Sequence, residues 1–590
     1  MCGIVGYIGN RQAAEIVLSA LQKLEYRGYD SAGMATIDNG SLFLSKDIGR
    51  LSDVNDKHHL CQLPGEAGIG HVRWATHGGV TTENAHPHLD CEHEIAVVHN
   101  GIIENYRELI NRLKPRHKFT SETDTEVIAH LLEEYINDGT SIEKAVRLVG
   151  NDLKGSYAIA AISTKEPGKI VALRKDSPLV IGVGDGGNYI ASDSLSFHNE
   201  TDTVIYLDDG EHAVITADEV KVYNNEGRQV TKEEKRADWV WEEVTKQGHD
   251  FFMLKEILEQ PQAMRQALMQ DRQLMVEMGL EILRAKQVVF TACGTSRYAA
   301  LIGRYLFSKI SGKFSDVIMA SEFGYFADSI DKNTLVIALS QSGETADVMD
   351  GVKRAKRNGA TVFSLVNVVG SSLARASDRV AYLNCGPEIG VAATKSFMAQ
   401  LTVLYLLAYT MVNQYDEGVS QLTAASNLID DNLKHNGREV PRIAAKMNRK
   451  NDFYYIARGI NFAVAGEGAL KIKEIAYVHA EGMPAGELKH GTLALIEDGT
   501  PVVAICPDDY TFEETMSNIA ETKARGALVL GVSDRYELTF DEWIKIPAVD
   551  EILYPLVTII PLQLFAYHSA ISRGLNPDMP RNLAKSVTVK

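Results

Sequence analysis

The most unusual chemical position in the sequence is that of Cys2, directly after the initiating methionine. Once Met1 is removed, which the small side chain of Cys2 permits, a single residue carries both a thiol and the α-amine. An α-amine has a pKa of about 7.7–8.0, so it can act as a base near neutral pH and activate the thiol as a nucleophile. The apolar run Gly3–Ile8 predicts a strand that holds this residue. The ordinary alternative is a core cysteine in an edge strand.

Four polar clusters in the first 130 residues could complete a site around Cys2. Each cluster adjoins an apolar run, in the kind of loop where functional groups are usually displayed. Each cluster taken alone is also compatible with a simple turn. The clusters are Tyr26–Gly33, His71–Gly78, His99–Gly101 and Ser121–Thr125.

A dense group of histidine and cysteine residues, His86, His88, Cys91 and His93, raises the possibility of a zinc site. The sequence offers no second pair of ligands spaced to close a tetrahedron. We therefore expect a structural role at the edge of a pocket and no metal.

In the second half of the chain, two strand-to-helix turns are rich in hydroxyl groups, Cys293–Ser296 and Ser340–Thr345. Backbone N–H groups and the helix dipole favour a phosphate group at such turns. Ordinary helix capping by Ser and Thr is the alternative. The corresponding turn of a second, repeated segment, Cys506–Tyr510, is acidic and would repel an anion, so the sequence predicts one phosphate site.

Three further charged residues have a chemically suggestive placement. Lys471 and Glu474 lie three positions apart on a predicted helix, so they share one face and can influence each other's pKa. An exposed salt bridge is the alternative. Lys585 lies near the chain end, where a solvated lysine is the default.

The elements of the first 236 residues are short apolar runs broken by Gly, Asn and Asp, with helical stretches between them. Two layers of strands with helices outside fit this pattern. The predicted strands include Gly33–Ile37, Ile95–Val98 and Tyr157–Ile162, and the predicted helices are Ala13–Leu24, Asn105–Lys114 and Thr125–Ile136.

The remaining chain contains an internal repeat of strand–helix units. Gln287–Gly294 leads into a predicted helix over Arg297–Ile310, and Asp452–Gly459 leads into one over Ala463–Ile475. Alternating strands and helices indicate parallel sheets covered on both faces, here two doubly wound subdomains. Before the repeat, we expect a helix that stops near Pro261.

Length and composition are those of a multidomain globular protein, with 590 residues, 45% hydrophobic residues and a net charge of −18. This acidity argues against nucleic acid or an anionic membrane as a partner. Six scattered cysteines give no disulfide framework, and no signal peptide is visible, so a cytoplasmic protein is expected. The apolar stretches Ser396–Gln414 and Ile552–Ile571 are interpreted as buried helices.

Together, Cys2 and the four clusters resemble the amino-terminal-nucleophile glutaminase domain of the class II glutamine amidotransferases, over about the first 230 residues. The resemblance implies a four-layer αββα fold in which Cys2 attacks the glutamine side-chain amide, forms a thioester and releases ammonia. The Asn100 side chain and the Gly101 N–H would form the oxyanion hole. The glutamine-binding residues would be Arg73, Trp74, Thr76, His77 and Asp124.

The chain from about residue 245 onward resembles the paired sugar-isomerase domains of the glucosamine-6-phosphate synthase family. The motifs that carry this resemblance are Glu388–Lys395, Glu467–Glu474, Glu487–Gly491 and Pro580–Val589. The resemblance implies that Glu474 moves a proton between C1 and C2 of the sugar, that His490 opens the sugar ring from the neighbouring subunit, and that Lys585 forms an imine. The sugar-phosphate-binding residues would be Thr295, Ser296, Ser340, Gln341, Ser342, Thr345, Val391, Ala393 and Lys471. Ala393 stands where the family usually has Ser, and Thr492 where it often has Pro.

We therefore expect an α/β and α+β multidomain chain: a four-layer αββα glutaminase domain and two doubly wound parallel-sheet αβα sugar-isomerase subdomains. The expected boundaries are residues 1–236 for the glutaminase domain, 237–280 for a connector, 281–420 and 446–575 for the sugar-isomerase domains, and 576–590 for a catalytic tail. The two resemblances imply an enzyme that converts glutamine and fructose 6-phosphate to glucosamine 6-phosphate and glutamate, as a homodimer or higher homo-oligomer and with no cofactor. The alternatives are a glutamine-independent amino-sugar-phosphate deglycase or isomerase, and a non-enzymatic sugar-phosphate sensor.

Overall fold

A computed structural model describes residues 2–236 and 246–588, and it leaves the side chains of residues 434–438 undescribed. The chain divides into two compact units, which are described separately: unit 1 comprises Met1–Val240 with Ser586–Lys590, and unit 2 comprises Trp241–Lys585. Met1, the first part of the expected connector (residues 237–245) and the last two residues of the expected tail lie outside the described residues.

Unit 1 is built from two antiparallel sheets. In chain order its strands are β1 (Gly3–Gly9), β2 (Ser31–Asp38), β3 (Ser41–Ile48), β4 (Ala67–Arg73), β5 (His88–Leu89), β6 (Ile95–Ile103), β7 (Gly155–Ser163), β8 (Ile170–Lys175), β9 (Val180–Gly184), β10 (Gly187–Ala191), β11 (Thr203–Tyr206), β12 (His212–Ile215), β13 (Val220–Tyr223), β14 (Gln229–Val230) and β15 (Lys235–Arg236). The larger sheet has the order β15-β11-β9-β10-β1-β4-β2-β3, and the smaller has the order β14-β13-β12-β8-β7-β6-β5.

Five helices cover the outer faces of these sheets: α1 (Ala13–Leu24), α2 (Leu51–His58), α3 (Tyr106–Leu113), α4 (Glu126–Asn137) and α5 (Ile142–Asp152). One apolar core lies between the sheets and includes Ile4 from the larger and Val98 from the smaller. A second core joins α1 to the larger sheet, and a third joins α3, α4 and α5 to the smaller sheet. This order of layers confirms the expected αββα fold.

Strand β1 occupies a central position in the larger sheet. It pairs on one side with β4, where Gly3 lies opposite Val72, and on the other with β10, where Val5 lies opposite Ala191. A side chain on Gly3 would come within 2.8 Å of Val72, so this glycine allows close packing within the protein rather than close approach of a substrate. The pairing with β4 brings Cys2, which precedes β1, beside the residues that follow Val72.

Unit 2 contains two five-stranded parallel sheets. The strands are β16 (Gln287–Ala292), β17 (Asp316–Met319), β18 (Thr334–Ser340), β19 (Thr361–Val366), β20 (Arg379–Tyr382), β21 (Asp452–Ala457), β22 (His479–Pro484), β23 (Pro501–Ile505), β24 (Leu528–Ser533) and β25 (Glu542–Lys545). The orders β17-β16-β18-β19-β20 and β22-β21-β23-β24-β25 are equivalent, which confirms the predicted repeat.

The helices of unit 2 lie on both faces of the sheets. They are α6 (Phe252–Leu258), α7 (Gln260–Ala267), α8 (Arg272–Arg284), α9 (Gly294–Ser311), α10 (Phe323–Phe326), α11 (Ala346–Arg357), α12 (Ser372–Ala376), α13 (Lys395–Met411), α14 (Tyr415–Met447), α15 (Asn461–Ala476), α16 (Phe512–Lys523) and α17 (Tyr554–Ser572). One large core joins the two sheets and includes Phe290 and Phe453, while the other face of each sheet has a core of its own. Helix α6 ends before Pro261 as expected, but Pro261 then lies in the first turn of α7.

The two long apolar stretches form the buried helices α13 and α17. Every residue of α13 is buried. Residues Glu551–Ser572 are long and apolar enough to span a membrane by length and composition, but 89% of that apolar window is buried inside the protein. A helix with this degree of burial is the core helix expected of a globular unit.

Shortening one α13 side chain tests how closely this core is packed. Leu404 is fully buried and lies 3.2 Å from the position that a side chain on Gly303 would take. We expect Leu404→Ala to lower the free energy of unfolding of unit 2 by about 2–5 kcal/mol. The substitution removes buried apolar atoms and leaves a cavity whose lining loses van der Waals contacts. Leu428→Ala, at a site that is 40% exposed, is the matched control. Calorimetric unfolding would compare the two, and equal small effects would contradict the packing described.

Candidate active sites

The sulfur of Cys2 lies against the backbone of Trp74 in unit 1. The Trp74 N–H donates to Sγ at 3.2 Å, and the thiol can donate to the Trp74 carbonyl at 3.3 Å. Burial raises the pKa of the Cys2 thiol, although the Trp74 N–H and the Arg73 charge act in the opposite direction. A thiol held in this way needs a nearby base to become a nucleophile.

Arg73, at the end of β4, is buried and faces the loop that follows it. Its guanidinium donates to the carbonyls of His77 at 2.6 Å, Gly78 at 3.3 Å and Gly79 at 3.1 Å. Burial lowers the pKa of Arg73, whereas Cys2, Asp30 and Asp124 favour its charged form. These contacts leave a fixed cation in the interior beside the cysteine, suited to a carboxylate ligand.

Asn100, on β6, is oriented by three partners. His71 Nε2 lies 3.0 Å from Asn100 Oδ1 and 3.1 Å from the His99 carbonyl. Because both of these atoms are acceptors, Nε2 must carry a proton, and burial lowers the pKa of His71 to about 3, so that the ring is neutral. The Asn100 amide N–H₂ then donates to the Cys2 carbonyl at 3.0 Å and to Ser192 Oγ at 2.7 Å.

Gly101 and Asp124 lie on either side of this strand end. Gly101 has φ +127°, and a side chain there would come within 2.0 Å of the Ser156 carbonyl, so glycine is required. Asp124 is buried and accepts the Ile103 N–H at 2.7 Å. Ile103 lies three residues after Asn100 on β6, so its bond to Asp124 places Asp124 at the same end of the strand as Asn100.

The other predicted glutamine contacts are less enclosed. Thr76 is exposed and His77 is half-buried, with its ring packed edge-on against Tyr106 at 5.2 Å. The Trp74 ring packs edge-on against Tyr29 at 5.8 Å. These side chains line the loop after β4 and remain predicted, rather than observed, ligand contacts.

In unit 2, the two hydroxyl-rich turns follow the neighbouring strands β16 and β18. Thr295 and Ser296 lie in the first turn of α9, while Ser340, Gln341 and Ser342 precede α11. The carboxyl ends of these parallel strands meet at one edge, at the point where the strand order reverses, which is the usual place for a ligand in such a sheet. The two turns therefore follow neighbouring strands at one edge of the sheet.

The second turn is held in shape by its own hydroxyl groups. Ser340 Oγ lies 3.0 Å from Thr345 Oγ1 and accepts the Gly343 N–H at 3.0 Å. Ser342 Oγ accepts the Glu344 N–H at 3.2 Å. In the first turn, Ser296 Oγ accepts from Gln400 Nε2 at 2.9 Å.

Lys471 is the centre of a buried polar group at the first turn of α9. Its ammonium lies 2.6 Å from Glu474 Oε2 and 3.3 Å from Glu467 Oε1, and it donates to Thr295 Oγ1 at 2.9 Å. Lys471 and Glu467 are fully buried, whereas the Glu474 side chain is 21% exposed. Burial alone would lower the pKa of Lys471, but the two carboxylates outweigh it and raise the pKa. The predicted Lys471–Glu474 pair exists, and the exposed-salt-bridge alternative is wrong.

Lys585 is buried instead of solvated. Its ammonium lies 2.5 Å from Glu388 Oε2 and 2.7 Å from the Gly390 carbonyl, and its side chain is 4% exposed. Glu388 also accepts the N–H groups of Thr394 and Ser396, at the start of α13. Burial alone would raise the pKa of Glu388, but the ammonium of Lys585 outweighs it and lowers the pKa.

Polar contacts anchor the chain that leads to Lys585. Asp578 accepts the N–H groups of Phe252 and Met253, both at 2.8 Å, and its carbonyl accepts the Val391 N–H at 3.0 Å. Arg581 lies over the Tyr477 ring, 4.3 Å from its centroid. None of these polar contacts is predicted from the sequence, because each joins residues that lie far apart along the chain.

Two further predicted residues, His490 and Ala393, differ in their placement. His490 ends a short 3₁₀ helix and is exposed. Ala393 is half-buried in the loop before α13, where Val391 is also found. Within the described residues, no contact joins His490 to Lys471, Glu474 or Lys585.

Sequence reasoning did not single out several residues that hold these sites together. Asp30 accepts the Ala75 N–H at 2.9 Å, and Ser192 accepts the Ile4 N–H at 2.8 Å. Glu388 and Glu467 stand within motifs that were recognised, but they were given no role. Ser192 comes from a distant part of the chain, and the only signal was a polar residue directly after an apolar strand.

The antiparallel αββα unit with a cysteine at its first strand and the paired parallel sheets define a glutamine amidotransferase joined to sugar-isomerase domains. The glutamine amidotransferase domain family matches residues 71–199, and the SIS domain family matches residues 281–410 and 446–573. The C-terminal domain of glucosamine-fructose-6-phosphate aminotransferase from Francisella tularensis, a solved structure, is 33% identical with a TM-score of 0.53. The match covers 57% of this chain and 100% of the chain in that structure.

Full-length relatives narrow this class. Glutamine--fructose-6-phosphate aminotransferase [isomerizing] from Thermococcus kodakarensis is 48% identical, and its namesake from Pyrococcus horikoshii is 47% identical. Both alignments cover 100% of this chain and 100% of the relative. The chain belongs to the glutamine–fructose-6-phosphate aminotransferase (isomerizing) family.

The burial of Lys585 depends on its partner Glu388, and this can be tested without an activity assay. We expect Glu388→Gln to release the tail, because removing one partner of a buried ion pair costs about 3–5 kcal/mol. Trypsin should then cleave after Lys585 at least about tenfold faster, as followed by mass spectrometry. Glu513→Gln, at an exposed position of α16, is the matched control. An unchanged cleavage rate in Glu388→Gln would show that the ion pair does not hold the tail.

Proposed function

We propose that this protein converts glutamine and fructose 6-phosphate to glucosamine 6-phosphate and glutamate, the first step in making amino sugars. The observation that carries the proposal is the alignment of the whole chain with relatives named for this reaction. The chain has a cysteine at the first strand of the glutaminase-type unit and a buried lysine in the sugar-isomerase unit, as two linked half-reactions require.

The proposed first half-reaction takes place at Cys2. Its free α-amine removes the thiol proton, and the thiolate attacks the side-chain amide carbon of glutamine. The Asn100 amide and the Gly101 N–H stabilise the tetrahedral oxyanion, a contribution that is typically worth about 10²–10³ in rate per donor. The protonated α-amine returns its proton to the amide nitrogen, the C–N bond breaks and ammonia leaves. Water then hydrolyses the glutamyl thioester to glutamate and frees the thiol.

The substrate amino-acid group also needs ligands. In the proposal, Arg73 holds the α-carboxylate of glutamine and Asp124 its α-ammonium, while Trp74, Thr76 and His77 line the pocket. The buried Arg73 and Asp124 carry the charges that complement these two groups.

The second half-reaction uses the ammonia before it meets water, because ammonium has no lone pair with which to attack a carbonyl. Lys585 first loses a proton and forms an imine at C2 of the open-chain ketose, expelling water. Ammonia then displaces the lysine amine and leaves the C2 imine of the sugar. The helix N-termini at Thr295–Ser296 and Ser340–Thr345 hold the phosphate.

Isomerisation completes the reaction. Glu474 takes a proton from C1, and a proton returns to C2, so the C2 imine becomes an amine and C1 becomes the aldehyde of glucosamine 6-phosphate. Lys471 and Thr295 support Glu474, since they lie in the same polar group. No metal or organic cofactor is needed for these proton transfers and imine exchanges.

The proposal includes a homodimer, because His490 is exposed and would act on the ring of sugar bound to the neighbouring subunit. It also includes the domain boundaries 1–236, 237–280, 281–420, 446–575 and 576–590. All six cysteines are free thiols, in keeping with a cytoplasmic location.

Replacing the nucleophile separates the two half-reactions. We expect Cys2→Ala to abolish glutamate release from glutamine, because the alanine side chain cannot form the thioester. Any isomerisation of the sugar phosphate, which needs no ammonia, should stay largely intact. Cys61→Ser, another half-buried cysteine of unit 1, should behave as the parent protein. Glutamine hydrolysis retained by Cys2→Ala would refute this nucleophile.

Replacing the tail lysine tests the sugar half. Lys585→Arg keeps a cation for Glu388 but cannot form an imine, so we expect loss of glucosamine 6-phosphate synthesis. The tail should still resist chymotrypsin, a protease that does not cleave after Lys or Arg. Deleting residues from Asn582 onward should have the same effect on synthesis. Glucosamine 6-phosphate formed by either variant would exclude a catalytic role for Lys585.

The two alternative functions are tested by a different measurement. A deglycase or a sensor would show no glutamate production that depends on fructose 6-phosphate.

A further inference from the structure

Unit 1 contains a compact group of four potential metal ligands away from Cys2. Cys91 lies in the turn between β5 and β6, His117 follows α3, and His130 and Glu133 lie one turn apart on α4. One potential ligand atom from each of these side chains lies within 4.8 Å of the other three. Three separate segments of the chain thus converge on one point, which the sequence spacing does not reveal.

The distances within this group are close to the edges of a zinc tetrahedron. Zn–S bonds of about 2.3 Å and Zn–N or Zn–O bonds of about 2.0–2.1 Å give S···N edges of about 3.6 Å and N···O edges of about 3.3 Å. Cys91 Sγ lies 3.6 Å from His117 Nδ1 and 3.8 Å from His130 Nδ1. Glu133 Oε2 lies 2.9 Å and 3.1 Å from the same two nitrogens. Small side-chain shifts would bring all four donors to bonding distance.

The chemistry of the donors matches this geometry. One thiolate, two neutral imidazoles and one carboxylate are all accepted zinc ligands, and the two negative charges would balance a divalent ion. The side chains of His117 and Glu133 are each 7% exposed and that of His130 is 1% exposed, so water competes little. Cys91 is half-buried and lines a cavity of about 430 Å³, which provides a route for the ion.

A second layer of carboxylates faces the outer nitrogens of both histidines. His117 Nε2 lies 3.4 Å from Glu134 Oε1, and His130 Nε2 lies 3.7 Å from Glu126 Oε1. With Nε2 facing these carboxylates, both histidines direct Nδ1 toward Glu133 and Cys91, where an ion would replace the present Nδ1 contacts. Carboxylates beside the outer nitrogens are the surroundings that zinc-bound histidines usually have. A hydrogen-bonded histidine–glutamate cluster without metal is the simpler alternative. Such a cluster does not require a thiol, whereas a tetrahedral zinc site uses Cys91 as its fourth ligand.

We propose that Cys91, His117, His130 and Glu133 form a structural zinc site. The ion ties the β5–β6 turn and the chain after α3 to α4. Glu126, next to His130, accepts the N–H groups of Thr120 and Ser121 at 2.8 Å and 2.7 Å. The site therefore also braces the loop that carries Asp124.

The proposed zinc site uses a different set of residues from the group that the sequence analysis considered. The sequence motif pointed to His86, His88, Cys91 and His93, of which only Cys91 belongs to the group. His86 stacks on His71 at 4.1 Å, His88 lies 3.1 Å from Thr123 Oγ1, and His93 is exposed. The other three ligands come from later segments that carry no recognisable metal motif.

Metal content of the full-length protein tests the site directly. The protein would be stripped with a chelator, titrated with zinc alone and analysed by elemental mass spectrometry after desalting. We expect one zinc per chain in the parent protein and none in Cys91→Ser or His130→Gln. Cys61→Ser and His93→Gln are the matched controls and should keep the ion. No retained zinc in the parent protein, or equal zinc in Cys91→Ser, would overturn the site.

Cobalt substitution of the parent protein and a variant of an outer carboxylate keep all four ligands, so neither readout depends on folding of the ligand variants. Cobalt(II) in the parent protein should give a thiolate-to-cobalt charge-transfer band and tetrahedral visible bands. Glu134→Gln should weaken zinc binding about 10–100-fold while leaving the ligands in place. Octahedral cobalt spectra, or unchanged affinity in Glu134→Gln, would contradict the proposed coordination.

Discussion

The pairing of β1 between β4 and β10 is the constraint on which unit 1 depends. A strand with a partner on each side cannot move without breaking two ladders of backbone hydrogen bonds, so its first residue has a fixed position. Cys2 is held by the backbone of Trp74, which directly follows Arg73, the last residue of β4. Asn100 is tied to the same place through the Cys2 carbonyl and Ser192. These contacts tie Cys2 to three segments of unit 1 that are distant in the sequence.

Unit 2 depends on a different constraint, the pairing of buried cations. An ammonium group in the interior is tolerated only where carboxylates and hydroxyls replace its water. Lys471 has Glu467, Glu474 and Thr295, and Lys585 has Glu388 and a carbonyl. Burial raises the pKa of Glu467 to about 7, which shows how strongly this interior resists further charge.

Much of the fold is readable from the sequence, because its elements follow simple periodicity. Helix α1 spans the predicted residues Ala13–Leu24, and the repeat of strand–helix units appears as two sheets of the same order. The 33-residue helix α14 was not foreseen, since it contains Pro441, which normally argues against a helix interior. Short edge strands such as β14 and β15 also lack a readable pattern, because they have few residues.

The sites are less readable, since they depend on contacts between distant residues. Motifs identified Cys2, Arg73, Asn100, Lys471 and Lys585, but not what holds each of them. Ser192 accepts a hydrogen bond from Asn100, which lies 92 positions away in the sequence. Glu388 lies 197 positions from its partner Lys585. The group around Cys91 was missed for the same reason: its ligands share no spacing rule. Local patterns predict which residue types matter, while the fold decides which of them meet.

The most direct test of the nucleophile is the mass of the amino-terminal peptide from protein that is turning over glutamine. Acid quenching during turnover would trap the acyl-enzyme for mass spectrometry. We expect a peptide that begins at Cys2 and carries a glutamyl group on it. Turnover at full rate by protein that retains Met1, with no glutamyl group on Cys2, would contradict an amine and a thiol of one residue acting together.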